Sequence, residues 1–184
     1  SLMKAKIAIV GSGNIGWALK QLLKSDYDLR QGDIADGFDA KDIKQVKDFL
    51  KGADAVISAA PFAVNKNIAT VAAEEGIAYF DLTEDVETTD FIKTLKSKSI
   101  LMPQCGLAPG AINVCAASMM EEFDSVNEVL MRVGALPRFT TNEMSYYLSW
   151  STNGLINEYC NEADAIYEGK HINCLLYTSD AADE

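Results

Sequence analysis

Short apolar runs alternate with amphipathic stretches along the first hundred residues of this chain. Short runs predict strands at residues 6–10, 27–33, 54–60, 77–82 and 99–104, and the first of them is indicated by its β-branched residues. Apolar residues at helical spacing, and glycines that close two of the stretches, predict helices at residues 14–25, 41–52, 65–76 and 87–98. This alternation predicts an α/β fold with a parallel sheet and helices on both of its faces.

A glycine motif follows the first predicted strand, where VGSGNIG has the spacing G-x-G-x-x-G. In a Rossmann-type turn the first glycine permits the tight turn, the second lets the backbone approach a pyrophosphate, and the third lets helix and strand pack closely. The free N–H groups of the helix start would bind the phosphates. The predicted cofactor-binding residues of this loop are Gly11, Ser12, Gly13, Asn14, Ile15 and Gly16. A glycine turn without function, or a methyltransferase turn, is the alternative; the third glycine favours a dinucleotide.

An acidic residue, Asp33, follows the glycine motif by about 20 residues, the distance at which dinucleotide-binding folds place a ribose-binding acid. A carboxylate there accepts hydrogen bonds from the ribose and repels a 2′-phosphate. No Arg or Lys follows within residues 34–37, although Arg30 precedes it. We predict NAD as the cofactor and keep NADP open. The alternative for Asp33 is a solvated turn acid.

Small residues end the predicted strand at 54–60, in the segment SAAPF. Ala59, Ala60 and Pro61 would leave room for a cofactor to lie across the strand tip, at the carboxyl edge where such sheets bind ligands. Tight packing of a strand end explains these residues equally well.

The pattern changes after Pro109. Residues 110–123 predict a helix, 127–137 and 143–150 long strands, 153–160 a short helix, and 164–170 a strand leading to a turn. We therefore predict a dinucleotide-binding domain at residues 1–104 and the start of an α+β substrate or dimerisation domain at residues 105–173.

Composition and net charge argue against several kinds of partner and site. The formal net charge of −11 argues against a nucleic-acid or anionic membrane partner. No apolar run reaches the ~18 residues of a membrane span, and the first residues show no signal-peptide pattern. The four cysteines form no C-x-x-C pair and His171 is the only histidine, so we expect no metal site and a reducing, cytoplasmic location.

Five segments resemble the saccharopine dehydrogenase-like family, which includes lysine 6-dehydrogenase-type enzymes. They are AAPFAVN, YFDLTEDV, PQCGLAPGAI, MRVGALP and WSTNGLINEYCNEADAIYEGK. The resemblance runs from about residue 4 to residue 170, and QCGLAPG followed by WSTNGLINEY is far more specific than the glycine motif.

The resemblance implies an NAD(P)-dependent oxidoreductase acting on a C–N bond of an amino acid, such as lysine or a saccharopine-like amine. An amine would lose hydride to the nicotinamide and give an imine that water hydrolyses. It also implies a homodimer when full length. A non-catalytic dinucleotide-binding module, or an inactive fragment, is the alternative.

The candidate catalytic residues lie where predicted strands end. Asp81 could hold a substrate ammonium or move a proton, although a turn or cap acid fits it as well. Cys105, in QCGLAPG, would line the pocket, although buried cysteines are more often small hydrophobes. Gly106 would let the backbone approach the substrate. Trp150 and Ser151 would come from the substrate domain, where core packing is the alternative for Trp150.

Two features depart from the family pattern. Only a short segment separates Asp33 from residue 41, so one βα unit of the relatives is absent or fused. The last eleven residues, CLLYTSDAADE, match one reading frame of a transposase adapter used in sequencing libraries. We therefore expect residues 174–184 to be a non-native tail on the N-terminal part of a longer enzyme.

Overall fold

A computed structural model describes residues 3–134, 139, 152, 156, 160 and 162–175. One sheet contains β1 (Lys6–Val10), β2 (Asp28–Gly32), β3 (Ala55–Ser58), β4 (Ala78–Asp81) and β5 (Leu101–Met102). The helices are α1 (Asn14–Leu23), α2 (Ile43–Leu50), α3 (Asn65–Glu75), α4 (Val86–Thr94) and α5 (Ala111–Met120). Single 3-10 turns occur at Ile34–Asp36 and Phe62–Val64. The predicted α/β class is confirmed, with the element bounds shifted by a few residues.

The sheet is parallel throughout, with the strand order β2-β1-β3-β4-β5. Val10 pairs with Gly32 on one side and with Ser58 on the other, so the carboxyl ends of these strands lie level. The chain reverses its direction across the sheet between β1 and β3, which is the topological switch point where such folds bind ligands. Among the described strands, β2 alone lies beyond β1, and the fully described segment 34–42 contains no further strand, as the shortened spacing after Asp33 predicts.

The hydrophobic core lies mainly on one face of the sheet. Right-handed crossovers in this order put α1 on one face and α2, α3 and α4 on the other. Because alternate strand residues point to opposite faces, Val56 and Tyr79 share the face of α3. Both are fully buried, together with Val46, Leu50, Ile68, Val71 and Ile92 of the three helices.

The opposite face is less well covered. The spacing along α1 predicts a buried apolar stripe, but Ile15 is 52% exposed, Leu22 is 73% exposed, and Gly16 is the buried residue of this helix. Helix α1 packs on β1 and β2, and β2 is the edge strand. Its outer side therefore has no neighbouring helix among the described elements to cover the stripe.

Backbone contacts divide the chain into two units. The first contains Ser1–Thr83 and Glu87–Met131, and the second contains Glu84–Val86 and Arg132–Glu184. Helix α5 therefore belongs to the first unit, beyond the predicted limit at residue 104. The domain limits stay a prediction.

In the second unit, β6 (Glu162–Tyr167) and β7 (Lys170–Leu175) form an antiparallel hairpin; the strand and turn predicted at 164–170 correspond to β6 and its turn, and β7 was not predicted. Gly169, with φ +73°, supplies the left-handed turn position. The predicted strand at 127–137 is not formed in its described part, residues 127–134. A strand needs a neighbour to pair with, and apolar side chains there, such as Leu130, remain exposed. The predicted strand at 143–150 lies outside the described residues.

No helix within the described ranges is long and apolar enough to cross a membrane. A search of the same ranges finds no group of three or more His, Cys, Asp or Glu side chains arranged to hold a metal ion.

Candidate functional site

Two glycines of the loop after β1 are required by packing. Gly11 has φ +105°, and a Cβ there would lie 2.8 Å from the carbonyl oxygen of Ala59. A Cβ on Gly16 would lie 2.1 Å from the carbonyl oxygen of Gly11. The turn after β1 is thus pressed between the start of α1 and the end of β3, as the first and third glycines of the motif predict.

Gly13 is different, because packing does not explain it. It precedes α1 with φ −65° and ψ −168°, extended backbone that other residues adopt readily. A Cβ there would meet nothing within 4 Å in the described part of the chain. The space before the first turn of α1 is therefore open, and the first N–H groups of a helix have no partner within it. Ser12, Asn14 and Ile15 are exposed around this space.

Asp33 ties the glycine loop to the end of β2. Its Oδ2 accepts the backbone N–H of Ser12 at 2.7 Å, and its Oδ1 accepts that of Ala35 at 3.1 Å. These bonds, from Ala35 first and then Ser12, hold the pKa of Asp33 below its ordinary value, so the carboxylate is charged at neutral pH. The side chain of Gln31 adds a bond from Nε2 to the carbonyl oxygen of Gly11 at 3.0 Å.

Arg30 is the basic residue nearest to Asp33 in sequence, and its side chain is bonded to residues other than Asp33. The guanidinium of Arg30 donates to the carbonyl oxygens of Phe49 at 2.7 Å and Lys51 at 3.2 Å. It also lies 5.7 Å from the centroid of the Phe49 ring. Arg30 therefore secures the end of α2 and is not available beside Asp33.

The end of β3 lies against the glycine loop. The N–H of Ala59 donates to the carbonyl oxygen of Val10 at 2.8 Å, which extends the pairing of β3 with β1 by one residue. Ala59 and Ala60 are half-buried and Pro61 is exposed. The structure thus brings the predicted cofactor residues of β1, β2 and β3 together at one edge.

A buried chain of polar side chains begins directly beneath this loop. Ser58 Oγ donates to Asn65 Oδ1 at 2.6 Å, and Asn65 Nδ2 donates to Asp81 Oδ2 at 3.4 Å. The same Asp81 oxygen accepts the hydroxyl of Tyr79 at 2.6 Å. All four side chains are almost completely buried. They link the ends of β3 and β4 to the first residue of α3.

Asp81 is the centre of this network, which we call the Asp81 network (Ser58, Asn65, Tyr79 and Asp81). Its Oδ1 accepts the backbone N–H groups of Thr83 and Gln104, both at 3.0 Å. Burial raises the pKa of Asp81, while the bonds from Tyr79, Thr83 and Gln104 act to lower it. The residue is 0% exposed, so its carboxylate lies beneath the edge of the sheet. Its catalytic role stays a prediction.

Cys105 and Gly106 continue the edge beyond β5. The N–H of Cys105 donates to the carbonyl oxygen of Asp81 at 2.8 Å, and its half-buried thiol contacts the carbonyl oxygen of Met102 at 3.3 Å. Burial first, and then the charge of Asp81, raise the pKa of the Cys105 thiol, so the thiol form dominates at neutral pH. Gly106 pairs with Gly110, whose Cβ would lie 2.1 Å from the carbonyl oxygen of Gly106.

Sequence reasoning missed Ser58, Asn65 and Tyr79. One signal was present: Tyr79 and Asp81 are two residues apart in a strand, so they share a face and can meet. Nothing in the local sequence indicates that Asn65, at the start of α3, reaches them. The remaining candidates, Trp150 and Ser151, lie outside the described residues.

The family model of the saccharopine dehydrogenase C-terminal domain matches residues 106–181. The match begins next to the predicted domain limit at 105. It also extends past residue 174, so the predicted non-native tail stays a prediction.

Comparison with solved structures supports the fold. Saccharopine dehydrogenase (L-Glu forming) from Saccharomyces cerevisiae matches with a TM-score of 0.64 and 17% identity over 93% of this chain and 44% of that one. A Rex-family repressor gives 0.43 and 22% over 65% and 61% of the two chains. Uronate dehydrogenase from Agrobacterium tumefaciens gives 0.38 and 14% over 45% and 41%. These last two are too distant to support a conclusion.

The present chain thus spans 44% of the length of the Saccharomyces cerevisiae enzyme. The sequence segments, the domain match and the shared fold agree with one another. They support a similarity to the saccharopine dehydrogenase-like family.

Proposed function

We propose that this chain binds a nicotinamide dinucleotide and belongs to an oxidoreductase acting on a C–N bond of an amino acid. The observation that carries the proposal is that neither packing nor backbone conformation requires a glycine at Gly13. Gly11 and Gly16 are glycines because a Cβ would collide with backbone, but Gly13 has permissive backbone angles and open space. A pyrophosphate against the N-terminus of α1 supplies the missing reason, because a side chain at Gly13 would occupy its place.

The described residues fit such a cofactor at the switch point of the sheet. The glycine loop would hold the pyrophosphate, Asp33 would bind the adenosine ribose, and the small residues Ala59 and Ala60 would let the rest of the molecule cross the tip of β3. When bound, the nicotinamide supplies the acceptor for hydride from a substrate amine. The protein's own contribution is to orient the two molecules and to exclude water.

The substrate side of the proposal rests on the loop after β5. The raised pKa of Cys105 favours a neutral, pocket-lining thiol over a thiolate nucleophile. The tight Gly106–Gly110 loop would bring backbone close to the substrate. The buried carboxylate of Asp81 favours a positioning role over direct contact. Trp150 and Ser151 remain proposed substrate residues. A cytoplasmic location and a homodimer are also part of this proposal.

Replacing Gly13 with alanine tests this proposal. We expect Gly13→Ala to raise the Kd for NADH at least about tenfold, because the new methyl group would displace the pyrophosphate. We expect the free energy of unfolding to change by no more than about 0.5 kcal/mol, because the methyl group meets no described atom. NADH fluorescence titration and urea unfolding measure the two effects.

The matched control is Gly37→Ala. Gly37 also has open space around it, but it lies in the turn after the single 3-10 turn at Ile34–Asp36, with φ +84°. Alanine there should cost some stability and leave NADH affinity unchanged. Equal NADH affinity of the wild type and Gly13→Ala would refute the pyrophosphate assignment. NADH binding without oxidation of any lysine-like or saccharopine-like amine would support the non-catalytic alternative.

Within this proposal the cofactor is NAD rather than NADP. We expect Asp33→Asn to shift the ratio of NADH to NADPH affinity towards NADPH by about tenfold, since it removes the charge that repels a 2′-phosphate. Asparagine keeps one oxygen that can accept the N–H of Ser12, so the contact with the glycine loop should be retained while the bond from Ala35 is lost. Parallel fluorescence titrations with NADH and NADPH measure the ratio. A wild type that prefers NADPH would overturn the assignment.

A further inference from the structure

The Asp81 network reaches two loops that the proposed function uses for different purposes. At one end, Ser58 directly precedes Ala59, Ala60 and Pro61, the proposed cofactor segment after β3. At the other end, Asp81 Oδ1 holds the backbone N–H of Gln104, next to Cys105 and the proposed substrate segment after β5. The side-chain bonds between these ends pass through Asn65, in addition to the backbone pairing of Ser58 with Asp81.

Asn65 has the donor and acceptor that this linkage needs. Its Oδ1 accepts from Ser58 Oγ and its Nδ2 donates to Asp81 Oδ2. A hydroxyl at this position could not span both partners, and an aspartate would set a second carboxylate against Asp81. The residue is 1% exposed, so solvent cannot replace either bond without opening the structure.

The backbone conformation of Gln104 requires a fixed hydrogen-bond partner at this end of the Asp81 network. It has φ +63°, a left-handed conformation that is uncommon for a residue other than glycine. The surrounding structure must hold such a residue in place. Its N–H bond to Asp81 Oδ1 is one restraint that does so, and Asp81 is itself held by Asn65 and Tyr79.

We propose that Asn65 is a positioning residue that fixes the loop after β3 relative to the loop after β5. This inference rests on the proposed function for the purpose of the two loops, but the linkage is a property of the chain itself. Asn65 is almost completely buried, so we assign it no direct contact with cofactor or substrate. It holds the Ser58 end and the Gln104 end of the network at one spacing, so that a cofactor over the first would face a substrate over the second.

The test uses Cys105 as a reporter of the second loop. In Asn65→Ala, Asp81 loses a partner and the loop at Gln104 loosens, so the Cys105 thiol becomes more exposed and more ionised. We expect its alkylation by iodoacetamide at neutral pH to be about fivefold faster, measured by peptide mass spectrometry that separates Cys105 from Cys115, Cys160 and Cys174. We expect the Kd for NADH to rise about fivefold as well.

The matched control is Asn67→Ala, on the same helix. Asn67 Nδ2 donates to the carbonyl oxygens of Ala40 at 3.3 Å and Lys41 at 3.1 Å, so its loss also removes hydrogen bonds made by α3. It has no bond to the Asp81 network. Asn67→Ala should lower stability without changing the Cys105 rate or the NADH affinity. If Asn65→Ala behaves in the same way, the inference is wrong.

A second variant keeps the test valid if Asn65→Ala does not fold. Ser58→Ala removes the first bond alone, at a residue that makes no hydrogen bond to Asp81. It should accelerate Cys105 alkylation in the same direction but less, and an unchanged rate would contradict the linkage. Should the wild type bind no NADH, the proposed function fails, while the Cys105 rates still decide whether the two loops are linked.

Discussion

Gly16→Ala is expected to lower the free energy of unfolding by about 3 kcal/mol. The added Cβ would lie 2.1 Å from the carbonyl oxygen of Gly11 and 2.8 Å from its carbonyl carbon. Both are backbone atoms, so no side chain can rotate to relieve the overlap. Either α1 must move away from β1 or the turn between them must open.

The intrinsic helix preference of alanine acts in the other direction, by up to about 1 kcal/mol, which is too little to compensate for the overlap. Urea unfolding followed by far-UV circular dichroism measures the change. Gly13→Ala is the control, because it lies three residues earlier in the same motif and its Cβ has open space. Comparable losses in the two variants would show that the packing described for Gly16 is wrong.

Tyr79→Phe is expected to destabilise the protein by about 2 kcal/mol at neutral pH, and by less in acid. The hydroxyl of Tyr79 donates to the buried carboxylate of Asp81 at 2.6 Å, and hydrogen bonds to charged groups are stronger than those between neutral ones. Burial raises the pKa of Tyr79 itself, and the charge of Asp81 raises it further, so the tyrosine stays protonated as a donor.

The pH dependence follows from the pKa of Asp81. Burial raises that pKa above its ordinary value of 3.8, and the Tyr79 bond opposes the rise. Loss of the bond raises the folded-state pKa further. A raised pKa favours folding fully below the unfolded value, and this benefit is lost as the pH rises through the folded value. The penalty of Tyr79→Phe should therefore grow from acid towards neutral pH.

Urea unfolding of the wild type and Tyr79→Phe at a series of pH values measures this penalty. Tyr27→Phe is the matched control, since Tyr27 is an exposed tyrosine of the same domain and its loss should change little at any pH. A penalty for Tyr79→Phe that is constant with pH, or larger in acid, would show that the Asp81 carboxylate is not the partner that matters.

Local sequence patterns predicted the strands and helices of the first domain. The bounds of β1 and the start of α3 were predicted to the residue, and Gly76 closes α3 in the left-handed conformation that its sequence position indicates. Such features depend on residues close in sequence, and the hydrophobic periodicity and the turn residues indicate them directly. The same holds for the glycine loop, in which Gly11 and Gly16 have the roles that their spacing predicts.

Other features depend on which elements become neighbours. The apolar residues of α1 follow helical spacing, yet Leu22 is largely exposed, because β2 is the last strand on its side of the sheet. The apolar residues at 127–134 predict a strand, but no pairing strand reaches their described backbone. A period indicates which face of an element is apolar, and it does not indicate whether another element covers that face.

The sequence by itself thus determined the α/β class, the order of the elements up to residue 104, the glycine loop and the positions of Asp33, Asp81 and Cys105 at strand ends. Only the tertiary structure decided that Asp81 is buried beneath the edge, and that Ser58 and Asn65 connect it to the loop after β3. The reason is that hydrogen bonds of Asp81 join residues up to 23 positions apart, and such partners meet only when parallel strands align their carboxyl ends.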